Sequence, residues 1–206
     1  IKMIVACGDK EITDRIDEAM PESPTVQQLV SVGPYVPEGW KDFHKGTAEA
    51  TPFVRPEHVN TNDDIMLMYF TSGTTGYPKI AEHNYKYALG HYITAKYWHN
   101  VNPEGLHFTI SDTGWGKALW GKLYGQWMCE APIFTYDFDK FNAHDILPMF
   151  KQYNITTFCA PPTMYRFMLQ EDVAAYDLSS IENFATAGEP LNGEVTIQWE
   201  LSLIHI

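Results

Sequence analysis

The run Tyr69-Phe70-Thr71-Ser72-Gly73-Thr74-Thr75-Gly76-Tyr77-Pro78-Lys79 gathers hydroxyls, glycines and one cation between two ordered stretches. Glycine permits positive φ, and consecutive N–H groups in such a turn converge on an anion to form a nest the size of a phosphate. Thr71, Ser72, Thr74 and Thr75 add hydroxyl donors, and Lys79 adds a charge whose hydrogen bonds to an ionised phosphate are worth roughly 1.5–3 kcal/mol each. By composition alone, a Ser/Thr/Gly cluster of this kind is a plain surface loop. The string is not a Walker loop, because Pro78-Lys79-Ile80 stands where Gly-Lys-Ser/Thr should follow Gly73. It is not a nucleophile elbow either, since Phe70 occupies the place of the first glycine of G-x-S-x-G.

The elements around this loop read as alternating strands and helices. Residues 1–7 form a strand, 11–20 a helix with Ile12, Ile16 and Ala19 at helical spacing, and 26–32 a second strand, a succession that predicts parallel pairing. Residues 34–62, rich in Pro, Gly, Glu and Lys, read as a connecting segment packed over the surface with Trp40 and Phe43 as anchors. Residues 65–70 lack alternation and are predicted to be a strand buried on both faces. Asn84 is an N-cap candidate for a helix whose Tyr85, Leu89, Tyr92, Ile93, Lys96 and Tyr97 make an aromatic face expected in the core. Further strands are placed at 106–110, 131–136, 156–160 and 183–187, with helices at 118–129 and 145–153 and one running to Gln170.

Three strand ends carry residues of interest. Ser111-Asp112-Thr113-Gly114-Trp115-Gly116 leaves room for a ligand against an indole, although a Trp beside glycines is equally a packing arrangement. Ala160-Pro161-Pro162-Thr163-Met164-Tyr165-Arg166 reads as a Pro-stiffened turn that starts a helix. Gly188-Glu189-Pro190 means little as an isolated tripeptide. His83, His91 and His99 have no carboxylate at ligand spacing, so they read as solvated or hydrogen-bonded histidines, and no metal ligand is assigned.

Residue for residue, the T-S-G-T-T-G-x-P-K string resembles the phosphate-binding loop of the AMP-forming adenylating enzymes, the superfamily of acyl-CoA synthetases, luciferases and peptide-synthetase adenylation domains. The resemblance covers residues 65–200 through several ordered motifs, and the first sixty residues more loosely. It implies an α/β fold, part of an adenylate-forming N-terminal domain with mostly parallel sheets covered by helices. The implied nucleotide contacts are Thr71, Ser72, Gly73, Thr74, Thr75, Gly76, Tyr77, Pro78 and Lys79, with Gly188, Glu189 and Pro190 as the adenine wall, acting mainly through backbone. Lys79 is the implied catalytic residue, and Trp115, Gly116, Pro162 and Thr163 are implied to line the acyl side. The wording of S-D-T-G-W, A-P-P-T and A-G-E-P is similar to the medium-chain and acetyl-type acyl-CoA synthetases.

That branch implies an ATP-dependent acid–CoA ligase that takes ATP, Mg²⁺ and coenzyme A, with a small carboxylic acid as substrate. A peptide-synthetase adenylation domain, a luciferase-type oxidase and a catalytically silent ATP-binding fragment are the alternatives. The family's later elements would lie beyond residue 206, so the chain reads as a partial AMP-binding domain, 1–206, expected to be inactive by itself. Residues 201–206 depart from the family's wording and read as a non-native tail.

Bulk properties narrow the partners. Fourteen Lys and Arg against 26 Asp and Glu give a formal charge of −12, which argues against a nucleic-acid or anionic-membrane surface. Cys7, Cys129 and Cys159 are far apart and form no C-x-x-C pair, so a reducing compartment is expected. No run approaches the ~20 apolar residues of a membrane span. Together these lead to a cytoplasmic expectation.

Overall fold

The structure is a computed structural model that describes residues 1–71 and 76–203. The chain divides into two units, Ile1–Val59 and Asn60–Ile206. In the first, β1 (Met3–Cys7), β2 (Gln28–Val32) and β3 (Lys41–Asp42) pair in parallel in that order. Helix α1 (Lys10–Ala19) makes the crossover between β1 and β2, started by Asp9, whose carboxylate accepts the Glu11 and Ile12 N–H groups at 2.8 and 3.1 Å. Trp40 is buried and donates its indole N–H to Asp17 at 3.0 Å.

Residues 34–62 are not purely connecting. They contribute β3 and the short helix α2 (Phe43–Ala48), which Asp42 caps through the His44 and Lys45 N–H groups. Two residues of sheet and six of helix are too short to leave a periodic signal. Phe43 is 41% exposed and anchors nothing, unlike Trp40.

The second unit opens on a hairpin. Strand β4 (Ile65–Thr71) runs antiparallel to β5 (Lys79–Asn84), with Tyr69 opposite Ala81 and Thr71 opposite Lys79. The expectation of a doubly buried strand fails here, because Met68 and Phe70 are 53% and 73% exposed. The partner of the apolar run lies just across the loop, so the run is one arm of a ribbon and not an inner strand of a covered sheet. Helix α3 (Tyr85–Tyr97) follows directly, and Asn84 caps it by accepting the Tyr87 N–H at 3.2 Å.

Four parallel strands then form one sheet in the order β7 (Ile133–Phe134), β6 (His107–Thr109), β8 (Thr157–Ala160) and β9 (Asn183–Thr186). Between β6 and β7 runs a broken helix: α4 (Gly116–Leu119), a π-helical turn (Trp120–Tyr124) and α5 (Gly125–Met128). Helix α6 (Ala143–Gln152) connects β7 to β8, α7 (Pro162–Met168) connects β8 to β9, and α8 (Gly193–Leu203) follows β9. The core lies between sheet and helices, with Phe108, Phe158, Ile146, Leu147 and Phe150 almost fully buried. Phe158 touches the rings of Phe108, Phe150, Tyr165 and Phe184, which fixes strand and helix faces against one another.

Candidate active site

In an open parallel sheet, ligands bind beyond the carboxyl ends of the strands where the connections diverge, because loops leaving in opposite directions open a crevice. From β6 the chain moves to β7 on one side, then returns to β8 on the other, so the divergence lies between β6 and β8. Each of the three strand-end motifs emerges at this edge. Residues 111–116 follow β6, residues 161–163 follow β8, and residues 188–190 follow β9.

The bases of these loops are tied by hydrogen bonds, one buried and one partly buried. Thr186 Oγ1 donates to the Ala160 carbonyl at 2.9 Å, and the Tyr165 hydroxyl donates to the Ala185 carbonyl at 2.8 Å. Asp112 stabilises its own turn by accepting the Gly114 N–H at 2.7 Å. Trp115 caps α4 with its indole 73% exposed. A Cβ on Gly116 would sit 3.3 Å from Trp120 Cδ1 and 3.8 Å from Tyr69 Cε2, so the broken helix packs tightly on this glycine and the β4 arm lies at ordinary contact distance from it. The β4–β5 hairpin and the loop after β6 are therefore neighbours.

Lys117, not singled out from the sequence, comes next. Its ammonium reaches the Ala187 carbonyl at 3.4 Å, directly before Gly188-Glu189-Pro190, and it has no carboxylate partner among the described residues. Pro162 starts α7 and is buried. Thr163 donates to both carboxylate oxygens of Glu189, at 3.0 and 2.9 Å, and Arg166 donates to Thr163 Oγ1 at 2.7 Å and pairs with Glu189 at 3.4 Å. Arg166 was legible only as the end of a motif, although Thr163 and Arg166 three residues apart share one helical face.

Of the loop itself, Thr71, Gly76, Tyr77, Pro78 and Lys79 are exposed, Gly76 has φ of 100°, and Thr71 Oγ1 donates to the Lys79 carbonyl at 3.4 Å. Ser72, Gly73, Thr74 and Thr75 lie outside the described residues, as do the last three residues of the supposed tail.

Beneath the site lies an uncharged polar floor. His107 is buried between two hydroxyls, its Nδ1 2.7 Å from Thr157 and its Nε2 2.7 Å from Thr109. Burial, and next to it the neighbouring His99, push its pKa down to about 3. His99, buried and then facing the Lys117 charge, is pushed down to about 4 and hydrogen-bonds Gln126 at 3.0 Å. The π-helical turn presents the Gly121 carbonyl to both Thr109 and Gln126, a use of irregular helix to satisfy buried donors. His99 is thus packed into the interior, where a solvated or hydrogen-bonded ring was expected, and the hydrogen-bonded half of that expectation holds.

Comparison with known proteins agrees with this architecture. The family model described as AMP-binding enzyme matches residues 1–205. Human acyl-coenzyme A synthetase ACSM4, mitochondrial, is 35% identical over 204 residues, covering 97% of this chain and 34% of the relative. Human acyl-coenzyme A synthetase ACSM3, mitochondrial, is 34% identical over 166 residues, covering 79% of this chain and 28% of the relative. The chain thus spans about a third of the length of the curated relatives it matches.

Among solved structures, the Brucella canis acyl-CoA synthetase superposes with a TM-score of 0.82 at 22% identity, over 98% of this chain and 36% of that one. The anthranilate CoA ligase AuaEII in complex with anthranoyl-AMP gives 0.85 at 21% identity, over 98% and 39%. At those identities the likeness is one of fold, and it bears out the α/β expectation. The cytoplasmic expectation is overturned, since these curated relatives are named as mitochondrial. Unpaired cysteines and the lack of a long apolar run do not distinguish one reducing compartment from another.

Proposed function

The chain belongs to the AMP-binding enzyme family, and from that premise we propose that the whole protein is an acid–CoA ligase of the AMP-forming kind. It joins a carboxylic acid to ATP as an acyl-adenylate with release of pyrophosphate, and coenzyme A thiol then displaces AMP. The observation that carries the reading is the convergence of the loops after β6, β8 and β9 at one sheet edge, beside the hairpin that bears the phosphate loop. The wording of those loops favours this branch over a peptide-synthetase domain or a luciferase.

A carboxylic acid with a pKa of ~4.5 is ionised at neutral pH, so its oxygen attacks the α-phosphorus without a general base. What the step demands is the approach of two anions and neutralisation of the departing pyrophosphate. Lys79 and the donors of the phosphate loop meet the second demand. The Lys117 ammonium, held by the Ala187 carbonyl just before Gly188, adds a second positive charge beside the adenine side. Trp115 and Gly116 supply the acyl side with Pro162 and Thr163 behind, and Gly188, Glu189 and Pro190 the adenine side.

Mg²⁺ would arrive on the triphosphate. Its preference for oxygen ligands and retained waters fits a site formed largely by phosphate oxygens. The test is carboxylate-dependent ATP–pyrophosphate exchange by the full-length protein. Lys79→Ala is expected to lower exchange by about 10–100-fold, the equivalent of one charge-assisted hydrogen bond. Unchanged exchange in that variant, or none in the wild type with any of a panel of carboxylic acids, overturns the reading.

A further inference from the structure

We propose that Thr163, Arg166 and Glu189 form a clasp that holds the loop after β8 against the turn after β9, and so sets the nucleotide-binding geometry before ATP arrives. The inference deepens the ligase reading and rests on it. All three are positioning residues. The Thr163 hydroxyl donates to Glu189 and accepts from Arg166, while the Arg166 guanidinium also pairs with the same carboxylate. The three side chains are thereby bonded to one another, with the Thr163 hydroxyl at the centre of the triangle.

The backbone is shaped for this contact. Gly188 has φ of 102°, in the left-handed region that glycine enters without strain, and this turn swings Glu189 back over the first turns of α7. At the base, the Thr186–Ala160 and Tyr165–Ala185 hydrogen bonds are inward and fix the strand ends. The clasp spans the rim, where Arg166 and Glu189 side chains are 45% and 43% exposed. An ion pair that exposed contributes little to folding. Its effect falls on the turn, whose ordering otherwise has to accompany nucleotide binding and weakens it.

The experiment uses the full-length protein and a double-mutant cycle of Arg166→Gln, Glu189→Gln and both together. Each single variant is expected to raise the KM for ATP by about threefold to tenfold, and Arg166→Gln, which lies outside the nucleotide and acyl walls, to leave kcat within about twofold, the range for a partly exposed charged network. The double variant is expected to be no worse than either single, since one contact is lost once. Melting temperatures should match the wild type, separating positioning from loss of structure. Additive effects, or a fall in kcat with KM unchanged, overturn the clasp. A wild type without carboxylate-dependent exchange overturns the ligase reading instead. The ATP dissociation constants of the same variants then judge the clasp separately, and unchanged constants reject it.

Discussion

His107 is buried, and its two ring nitrogens each meet a threonine hydroxyl. A charged ring there would lose its hydration without gaining a carboxylate, so the native state keeps it neutral to about pH 3 and keeps His99 neutral to about pH 4. The unfolded chain takes up protons on both rings from about pH 6.5. Below that value the unfolded state binds more protons, so stability is lost as pH falls from 6.5 toward 4 and is unaffected above it. At pH 5 the loss is roughly 2 kcal/mol per ring. Urea midpoints at pH 7 and pH 5 measure it, and His107→Gln should remove about half of the difference between them; an undiminished difference rejects the account.

The sequence marked the histidines as unsuited to metal, but burial depends on which helix lands above them, which residue spacing does not encode. Lys117 and Arg166 were missed for the same reason. Their meaning comes from the Ala187 carbonyl and the Glu189 carboxylate, which lie 70 and 23 residues away along the chain.

From β6 to β9 the order of strands and helices was legible, because parallel strands buried on both faces leave apolar runs and their crossover helices leave caps, whereas β5 and α8 were not read from the sequence. Asn84 shows the strength of capping signals. The aromatic stripe of α3 shows the weakness of periodicity. Leu89, Ile93 and Tyr97 are 59%, 57% and 69% exposed, while Ala95 on another face is 1% exposed, so the face expected in the core points outward. Small residues decide this orientation. A Cβ on Gly125 would lie 2.5 Å from the His91 carbonyl oxygen and 2.9 Å from Ala95 Cβ, so α3 packs against α5 by bringing backbone to backbone at a glycine and an alanine. Large apolar side chains cannot enter so narrow a contact. Gly125→Ala should force the helices apart and cost about 1–3 kcal/mol. Equilibrium unfolding checks this, and a neutral result means the contact is looser than drawn.

At the scale of the whole molecule, the division at Val59 and Asn60 falls in a stretch, residues 51–60, that is exposed and without regular structure. Limited proteolysis should cut first in this stretch, where backbone is not held in hydrogen-bonded elements, leaving a product that begins near Asn60. Early cleavage inside 107–203 instead contradicts the compactness of the second unit. Between α8 and β9, Tyr165, Phe184, Leu191, Val195 and Trp199 line an apolar cavity of about 250 Å³. It reaches the turn of Gly188, Glu189 and Pro190 through Thr186 and Leu191.

Neighbouring strands in a sheet are spaced by about 4.8 Å. Strands β6, β8 and β9 are consecutive in the sheet, so the two walls they carry stand two spacings apart, about 10 Å. Backbone hydrogen bonds make that span a ruler that side-chain substitutions cannot stretch. On the ligase reading proposed above, variation in the size of the acid would then be accommodated along the strand axis, in the depth beneath the indole of Trp115, while the gauge across the strands stays constant.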